Sequence, residues 1–268
     1  MQRQIVLFLV ATQFLTRLPT PAWENFQSSW LAQSARYFPL VGVLVGAINA
    51  GVWWLFGHWL PGAVTVGLML AVSLLVTGAF HEDGFADTCD GFGGGATPDR
   101  VLAIMKDSRI GAYGAIGICV TLGLKWTAYA AIPAAVFPTI VIGAHMVSRW
   151  CACGLIWRLS YVRGDDDAKV GPIAGGLRGR DWIVSGALGA LAAAPFVYAG
   201  DLMPHVIELR ALAAAVAASA ITAALMALYF RRRIGGYTGD CLGAVQQLTE
   251  LAFLLAALAV AGSAQRSG

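Results

Sequence analysis

Residues 62–80, GAVTVGLMLAVSLLVTGAF, contain no charged side chain, and residues 81–95, HEDGFADTCDGFGGG, follow them directly. An apolar run of about 18 residues or more is long enough to cross a lipid bilayer as a helix. The first stretch therefore predicts a transmembrane helix. The second stretch predicts a dense group of carboxylates at one end of that helix.

The composition of the whole chain indicates several such helices. Of its 268 residues, 58% are hydrophobic and 12% are charged, and the mean hydropathy is +0.68. Soluble proteins carry about 25% charged residues. These values exclude a soluble Rossmann or barrel enzyme, a disordered scaffold and a disulfide-stapled secreted domain. The net charge of +3 comes without a basic cluster interleaved with aromatic residues, so no nucleic-acid partner is predicted.

Hydropathy predicts an all-α fold, a polytopic transmembrane helix bundle of about seven spans preceded by a short N-terminal helix. Residues 4–17 are too short and too polar a segment to be assigned as a span. No shift in composition divides the chain, so residues 1–268 are predicted to form a single integral-membrane domain. The spans are predicted at residues 38–57, 62–80, 112–131, 138–157, 183–200, 208–230 and 242–262.

The connections between these spans separate by charge. If the predicted spans cross the membrane in alternating directions, four of the connections lie on the same face. These four connections hold 13 of the 18 lysine and arginine residues. The positive-inside rule assigns that face to the cytoplasm. The acidic stretch lies on the same face, so we expect a multi-pass protein with its active site at the cytoplasmic surface. The four connections are residues 17–37, 81–110, 158–182 and 231–240.

The acidic stretch is the strongest candidate for a metal site. Asp83, Asp87 and Asp90 are spaced i, i+4, i+7 and fall within about 60° on one helix face, with Glu82 about a quarter-turn away. If the preceding span continues into this stretch, the acids lie at a helix C-terminus, where the dipole and like charges disfavour them. A hard divalent cation removes both penalties, and oxygen ligands suit Mg²⁺, Mn²⁺ or Ca²⁺. We therefore predict that these four acids bind a metal ion.

Two groups of residues after the acids indicate a phosphate ligand. Gly93 and Gly94 belong to a glycine run whose backbone can turn sharply and approach a ligand closely. The run lacks the lysine and Ser/Thr of a P-loop, so nucleotide hydrolysis of that type is not indicated. Lys106 and Arg109, with Ser108 between them, form a candidate diphosphate clamp. Taken singly, each cation is more typical of the positive charges that flank membrane spans.

The segment GGYTGD, residues 235–240, precedes the last predicted span. Thr238 or Asp240 can cap the helix that follows. Because the segment lies on the same predicted face as the acidic stretch, Asp240 is also a candidate metal ligand or proton acceptor. Gly236 and Thr238 are candidate substrate contacts for the same reason.

Arg149 and Glu250 lie inside predicted spans, where charge is costly and usually paired. Counted at about 1.5 Å per residue from the cytoplasmic ends, they reach similar depths of about 12–15 Å. We expect them to form an ion pair at the floor of the site, with Arg149 as a candidate substrate-binding residue.

Five motifs, in order along most of the chain, resemble the cobalamin synthase family, adenosylcobinamide-GDP ribazoletransferase. Small departures from the family pattern, at Phe85, Cys89 and Ala112, leave the charged positions intact. The motifs are FLTRLPTP from Phe14, FPLVGVLVG from Phe38, HEDGFADTCDGFGGG from His81, KDSRIGAYG from Lys106 and GGYTGDCLGA from Gly235.

The resemblance implies a Mg²⁺-dependent enzyme of the inner (cytoplasmic) membrane that acts late in cobalamin biosynthesis. Such an enzyme joins adenosylcobinamide-GDP to α-ribazole, or to α-ribazole 5′-phosphate, and releases GMP. We therefore assign Mg²⁺ to the four acids of the acidic stretch, the diphosphate to Lys106 and Arg109, and a further ligand or the proton acceptor to Asp240. The lipid bilayer is the other predicted partner, and a homo-oligomer is compatible with the sequence.

Three other readings fit part of the sequence. Residues 87–91, DTCDG, match the opening of the Asp-xx-Asp-Gly motif of CDP-alcohol phosphotransferases, but the Ala-Arg and the Asp-xxx-Asp that complete it are absent. Aspartate-rich prenyltransferases normally carry two acidic motifs, whereas GGYTGD offers one acid. A cation transporter is disfavoured because the charges concentrate on one face and the spans show no inverted repeat.

Overall fold

The computed structural model describes residues 2–23, 26–163, 177–198 and 205–266. These residues form helices, joined in two places by single 3₁₀ turns, and their strand-like pairing is an isolated bridge between Tyr161 and Tyr237. Much of the predicted connection 158–182 lies outside the described residues. The helices are α1 Gln2–Leu15, α2 Ser28–Ser34, α3 Phe38–Phe56, α4 Gly62–Thr77, α5 Phe80–Gly94, α6 Pro98–Ile104, α7 Ala112–Ala130, α8 Phe137–Arg158, α9 Gly179–Tyr198, α10 His205–Ile234 and α11 Gly239–Arg266.

The predicted all-α membrane bundle with a short N-terminal helix is confirmed, but the count of seven spans is not. Within the described residues, four helical segments are long and apolar enough to cross a membrane, or five if α4 and α5 count as one broken span. Helices α7 and α9 occupy two further predicted spans and are not among them. The four segments are Ser28–Phe56, Ala134–Arg158, Leu209–Ile234 and Gly239–Val260.

Helices α8 and α11 form the centre of the bundle. In each of them 72% of the apolar window is buried, against 22% in α10, which packs on the outside of both. Helix α3 packs closely along α8, where a Cβ added to Gly46 would lie 2.7 Å from the Cα of Ile142. Small residues permit such close approach where no hydrophobic effect drives helices together.

The second predicted span does not continue into the acidic stretch. Helix α4 ends at Thr77, α5 begins at Phe80, and the two axes differ by 89°. Gly78 and Ala79 both adopt the left-handed conformation, with φ of 65° and 53°, and Ala79 N–H donates to the carbonyl of Leu74 as in a Schellman motif.

This break corrects the electrostatic argument made from the sequence. Glu82 and Asp83 lie in the first turn of α5, not at the C-terminus of α4. The helix dipole stabilises anions in a first turn. The dipole penalty expected for these two acids is therefore absent, and only their mutual repulsion remains.

The break is held from the N-terminal side by residues of the first motif. Arg17 N–H donates to the carbonyl of Val76 at 2.6 Å, and the Arg17 side chain lies against Gly78 so closely that a Cβ there would collide with it. The chain after α1 thus fixes the end of α4 and the direction in which α5 leaves.

Helix α5 crosses α11 at two glycines. A Cβ added to Gly84 would lie 2.9 Å from the Cα of Asp240, and one added to Gly243 would lie 2.8 Å from the carbonyl oxygen of His81. The backbones can approach this closely because neither residue has a side chain. The crossing places the acidic helix directly on the N-terminus of α11.

Alanine substitutions at two helical glycines test this packing. Gly84→Ala should lower the free energy of unfolding by about 1–3 kcal/mol, because its Cβ overpacks against α11. Gly51→Ala, in α3, is the matched control: nothing lies within 4 Å of its added Cβ. It should raise stability by up to about 1 kcal/mol. Unfolding midpoints in detergent measure both, and equal shifts would show that Gly84 is not a contact point.

Candidate active site

Asp83, Asp87 and Asp240 form a carboxylate cluster at the crossing of α5 and α11. Helix α5 carries four acidic residues and is by itself neither long nor apolar enough to cross a membrane. Burial, followed by the negative charges of Asp240 and Asp83, raises the pKa of Asp87 to about 7, against the lowering effect of Arg163. The ionised forms of these acids therefore destabilise one another, which is the condition that a bound cation relieves.

Among the described residues, Arg163 forms an ion pair with Asp240 of this cluster, and the sequence did not indicate it. Its guanidinium donates to Asp240 Oδ2 at 2.7 Å and to the carbonyl of Met105 at 3.3 Å. Both side chains are largely buried, with exposed fractions of 14% for Arg163 and 19% for Asp240. A charge-assisted hydrogen bond at this depth fixes the orientation of the carboxylate.

A short backbone pairing brings Arg163 to Asp240. Tyr237 N–H donates to the carbonyl of Ser160 at 3.0 Å, and Val162 N–H donates to the carbonyl of Tyr237 at 3.1 Å. Gly236 lies so close to Ser160 that any Cβ there would collide with the Ser160 carbonyl. The predicted substrate contact Gly236 is therefore buried in this pairing.

Thr238 caps α11, which is one of the two roles that the sequence predicted for this segment. Its Oγ1 accepts a hydrogen bond from Cys241 N–H at 3.3 Å, and Asp240 is left to pair with Arg163. The capping role and the ion-pair role thus fall to different residues of the same motif.

Asp90 belongs to the predicted acidic strip, but its carboxylate holds another helix. Oδ2 accepts from Gly111 N–H at 2.7 Å and Oδ1 accepts from Gly114 N–H at 2.8 Å, so both oxygens bind the N-terminus of α7. A Cβ at either glycine would collide with the carboxylate. Satisfying free N–H groups and facing the positive end of the dipole stabilise the Asp90 anion without a metal ion.

Glu82 points away from the cluster and into the bundle. Its Oε1 accepts from Gln247 Nε2 at 2.8 Å, while its Oε2 is buried without a hydrogen-bond partner among the described residues. The four predicted metal ligands are thus divided between three places. In the part of the chain that the structure describes, no group of three or more His, Cys, Asp or Glu side chains is arranged to hold a metal ion.

The glycine run is not the sharply turning loop that we expected. Gly91 to Gly94 complete α5, and among the described residues positive φ angles occur at Gly78, Ala79 and Gly235. A Cβ at Gly93 would lie 2.6 Å from the ring of Tyr113, and one at Gly94 would lie 3.3 Å from Cδ1 of Ile104. These glycines therefore let α6 and α7 pack against α5.

A loop beside the cluster carries Lys106, Ser108 and Arg109. It begins after Met105, whose carbonyl accepts from Arg163, and ends at Gly111, whose N–H donates to Asp90. All three side chains are exposed. The Arg109 guanidinium pairs with Asp107 at 2.6 Å and holds the pKa of that carboxyl at about 2. The loop is thus positioned to meet a ligand that approaches from outside.

Below the cluster lies an interior polar network, and it corrects the predicted pairing of Arg149 with Glu250. Glu250 forms its ion pair with Lys125 at 2.9 Å, and Arg149 donates to the carbonyl of His145 at 3.0 Å. Both charges are almost fully buried, as predicted for this depth. The Arg149 guanidinium is held by His145, one turn earlier on the same helix, whereas the Lys125 ammonium reaches the Glu250 carboxylate from α7. The network comprises Asn49, Lys125, Tyr129, His145, Ser148, Arg149, Gln246, Gln247 and Glu250.

Comparison with known proteins identifies the chain's relatives. The model of the family described as cobalamin-5-phosphate synthase matches residues 7–258. The chain belongs to this cobalamin-5-phosphate synthase family. The resemblance drawn from the five motifs is thereby confirmed.

Individual members of the cobalamin-5-phosphate synthase family align along almost the whole chain. A protein of Shewanella sp. (strain W3-18-1) named adenosylcobinamide-GDP ribazoletransferase is 42% identical over 265 residues, which cover 96% of this chain and 95% of the relative. The protein of the same name from Shewanella oneidensis is 40% identical over 267 residues, covering 97% and 96%. No solved structure is significantly similar to the chain.

Four of the five motifs of this cobalamin-5-phosphate synthase family member meet at α5. Arg17 contacts the break before it, Gly111 and Gly114 bind Asp90 within it, and Asp240 lies against Gly84. The fifth motif, from Phe38, packs α3 on α8. The motifs that carried the resemblance are therefore largely the residues that position the acidic helix.

Substitution of Asp90 tests its role as the cap of α7. Asp90→Ala should lower the free energy of unfolding by about 3 kcal/mol, because two N–H groups lose their acceptor, and Asp90→Asn should cost about half as much. Asp99→Ala, at an exposed acid in α6, should change stability little. Thermal unfolding in detergent measures all three. An Asp90→Asn variant with unchanged stability and a raised metal requirement would instead make Asp90 a metal ligand.

Proposed function

We propose that this chain is an adenosylcobinamide-GDP ribazoletransferase, which joins adenosylcobinamide-GDP to α-ribazole or α-ribazole 5′-phosphate and releases GMP. Relatives with that name align with nearly the whole chain. The observation that carries the proposal is the carboxylate cluster of Asp83, Asp87 and Asp240 beside Arg163. Mutually repelling acids next to a fixed guanidinium are suited to a substrate that brings a diphosphate and its counter-ion.

The reaction proposed is a displacement at phosphorus. A ribose hydroxyl of α-ribazole attacks the cobinamide-side phosphorus, a new P–O bond forms, and the bond to the bridging oxygen breaks as GMP leaves with that oxygen. For the 5′-phosphate to serve as an acceptor, the attacking hydroxyl must be one that this phosphate leaves free. Displacements of this kind are catalysed chiefly by alignment and charge neutralisation.

We propose Mg²⁺ as the cofactor, with Asp83 and Asp87 as the residues that would hold it. Their hard oxygen donors fit this ion, and crowding of the acids around Asp87 favours a cation. A third acid is not required, because Mg²⁺ is usually bound through one or two carboxylates together with waters and substrate phosphates. When bound, the ion would supply positive charge to the diphosphate.

The other polar residues have complementary proposed roles. Asp240, oriented by Arg163, is the proposed acceptor of the hydroxyl proton, and Arg163 itself faces the space where the diphosphate would lie. Lys106, Ser108 and Arg109 are exposed on the adjoining loop and are proposed to contact the departing GMP. Such cations stabilise the negative charge that develops on the leaving group.

We further propose that the protein lies in the inner (cytoplasmic) membrane with this site at the cytoplasmic surface. The connections that carry Arg163, Asp240 and the loop with Lys106 belong to the set that holds 13 of the 18 lysine and arginine residues. The positive-inside rule supports this orientation.

Release of GMP tests the proposed activity directly. Protein purified in detergent should release GMP when Mg²⁺, adenosylcobinamide-GDP and α-ribazole are all present, because the displacement needs the acceptor hydroxyl. Chromatographic measurement of GMP with each component omitted in turn completes the experiment. GMP release that does not depend on α-ribazole would indicate hydrolysis and contradict the assignment.

Replacement of one cluster acid tests the site. Asp87→Asn should fold normally and reduce turnover by about 100-fold, because an amide is a poor Mg²⁺ ligand and the cluster loses a charge. Asp99→Asn removes an exposed acid of α6 and is the matched control, with turnover expected near that of the unchanged protein. Initial rates of GMP release compare the two. Near-normal turnover for Asp87→Asn would remove Asp87 from the site.

A further inference from the structure

A cavity lies away from the carboxylate cluster, between α9 and α10 and over α8. Its volume is about 560 Å³, which falls in the range of sites for small organic ligands. Its lining is predominantly apolar and includes two arginines at one end. The proposed transfer reaction uses none of these residues.

One wall of this cavity is a rigid stack of indole rings. The Trp150 and Trp182 rings are stacked at 4.6 Å, and the Trp157 and Trp182 rings at 5.2 Å. Trp150 Nε1–H donates to the carbonyl of Trp182, and Trp182 Nε1–H donates to the carbonyl of Trp150. Because both polar groups are satisfied, the wall presents apolar ring surface to the cavity.

The opposite wall is a face of α10 with small side chains. Ala220, Ala223, Ala224 and Ala227 line the cavity and leave it open. On the outer side of the same helix, Ile221 and Leu225 are 61% and 62% exposed, as expected for a helix that faces lipid. The cavity is thus an apolar groove along a peripheral helix of a membrane protein.

Arg158 and Arg231 line the polar end of this groove. Arg158 ends α8 and lies 4.5 Å over the ring of Trp157, and Arg231 lies in the last turn of α10. Neither arginine forms an ion pair with an acid in the described part of the chain. The segments that follow the two helices pair at Tyr161 and Tyr237, so both arginines lie at the same end of the bundle as the carboxylate cluster.

From this arrangement we infer that the groove binds one anionic phospholipid. The lipid phosphate pairs with Arg158 and Arg231, and an acyl chain runs along the alanine face. From Arg231 to Ala220 the helix rises about 16 Å, which is long enough to hold much of an acyl chain. Basic pockets between membrane helices select anionic headgroups in this way. The inference does not depend on the proposed transferase activity.

A membrane lipid accounts for both ends of the groove. A soluble phosphate would satisfy the arginines but leave the indole and alanine walls exposed to water. A zwitterionic lipid would fill the walls but bring a cation to the two guanidinium groups. Of these three ligands, the anionic phospholipid matches both the charge at one end and the apolar surface along the rest.

Tryptophan quenching by brominated lipids tests the inference. The protein is reconstituted in phosphatidylcholine vesicles that contain a small, equal fraction of either brominated phosphatidylglycerol or brominated phosphatidylcholine. Exposed indoles such as Trp54 and Trp126 are quenched by either lipid. Trp150, Trp157 and Trp182 should add an excess of quenching with phosphatidylglycerol, because that lipid occupies the groove.

Two independent variants should remove the excess. The double substitution Arg158→Gln and Arg231→Gln should weaken the preference for phosphatidylglycerol by about tenfold or more. Ala224→Phe should abolish it by filling the groove. The matched controls are Arg232→Gln and Leu225→Phe, at neighbouring residues that do not line the cavity, and both should retain the excess.

Each contrary result would overturn the inference. No excess quenching in the unchanged protein would exclude a preference for the anionic headgroup. An excess retained by Ala224→Phe would show that the acyl chain does not enter the groove, even if the double arginine variant fails to fold. Displacement of the brominated phosphatidylglycerol by soluble glycerol phosphate would show a simple anion site instead of a lipid site.

Discussion

The site depends on one backbone constraint, the 89° change of direction between α4 and α5 at Gly78 and Ala79. A continuous helix would carry the acids outward at the end of α4, with the negative end of the helix dipole behind them. The break instead lays α5 across the N-terminus of α11, where Gly84 and Gly243 allow the two backbones to touch. Asp83 gains the favourable end of a new dipole, and Asp87 comes within reach of Asp240.

Partners then divide the crowded acids into separate roles. Asp90 binds the first N–H groups of α7, Glu82 accepts from Gln247, and Asp240 pairs with Arg163. Asp83, which is exposed, and Asp87, which is half-buried, remain closest to the open side. Asp90 and Glu82 thus hold neighbouring helices, Arg163 orients Asp240, and Asp83 and Asp87 are the acids available to a metal ion. This division explains why a dense acidic motif need not be a set of equivalent metal ligands.

The sequence predicted what depends on local pattern and missed what depends on contacts between distant segments. Apolar runs identify membrane helices because each helix satisfies its own backbone in lipid. Helices α3 and α8 accordingly begin and end within one residue of their predicted spans, and α11 begins three residues before its predicted span. The break at Gly78 was not predicted because Gly and Ala are ordinary members of an apolar run.

Arg163 was not predicted because its partner, Asp240, is 77 residues away and is reached only through the pairing of Tyr237 with Ser160 and Val162. Arg149 and Glu250 were correctly expected at similar depth, but depth alone could not distinguish Arg149 from Lys125 as the partner of the carboxylate.

The interior polar network connects α5, which carries the acids of the site, to buried side chains in the middle of the bundle. Asp240, Gln247 and Glu250 fall within about 80° of one another on α11, so a single helix face leads from the carboxylate cluster to a depth of about 15 Å. Gln247 accepts from Lys125 and donates to Glu82, whose neighbour Asp83 belongs to the cluster. A buried ion pair such as Lys125–Glu250 contributes little net stability, but the removal of one partner leaves an uncompensated charge. The hydrogen bond from Gln247 to Glu82 ties α5 to this network, while Asp83 is exposed and Asp87 is half-buried.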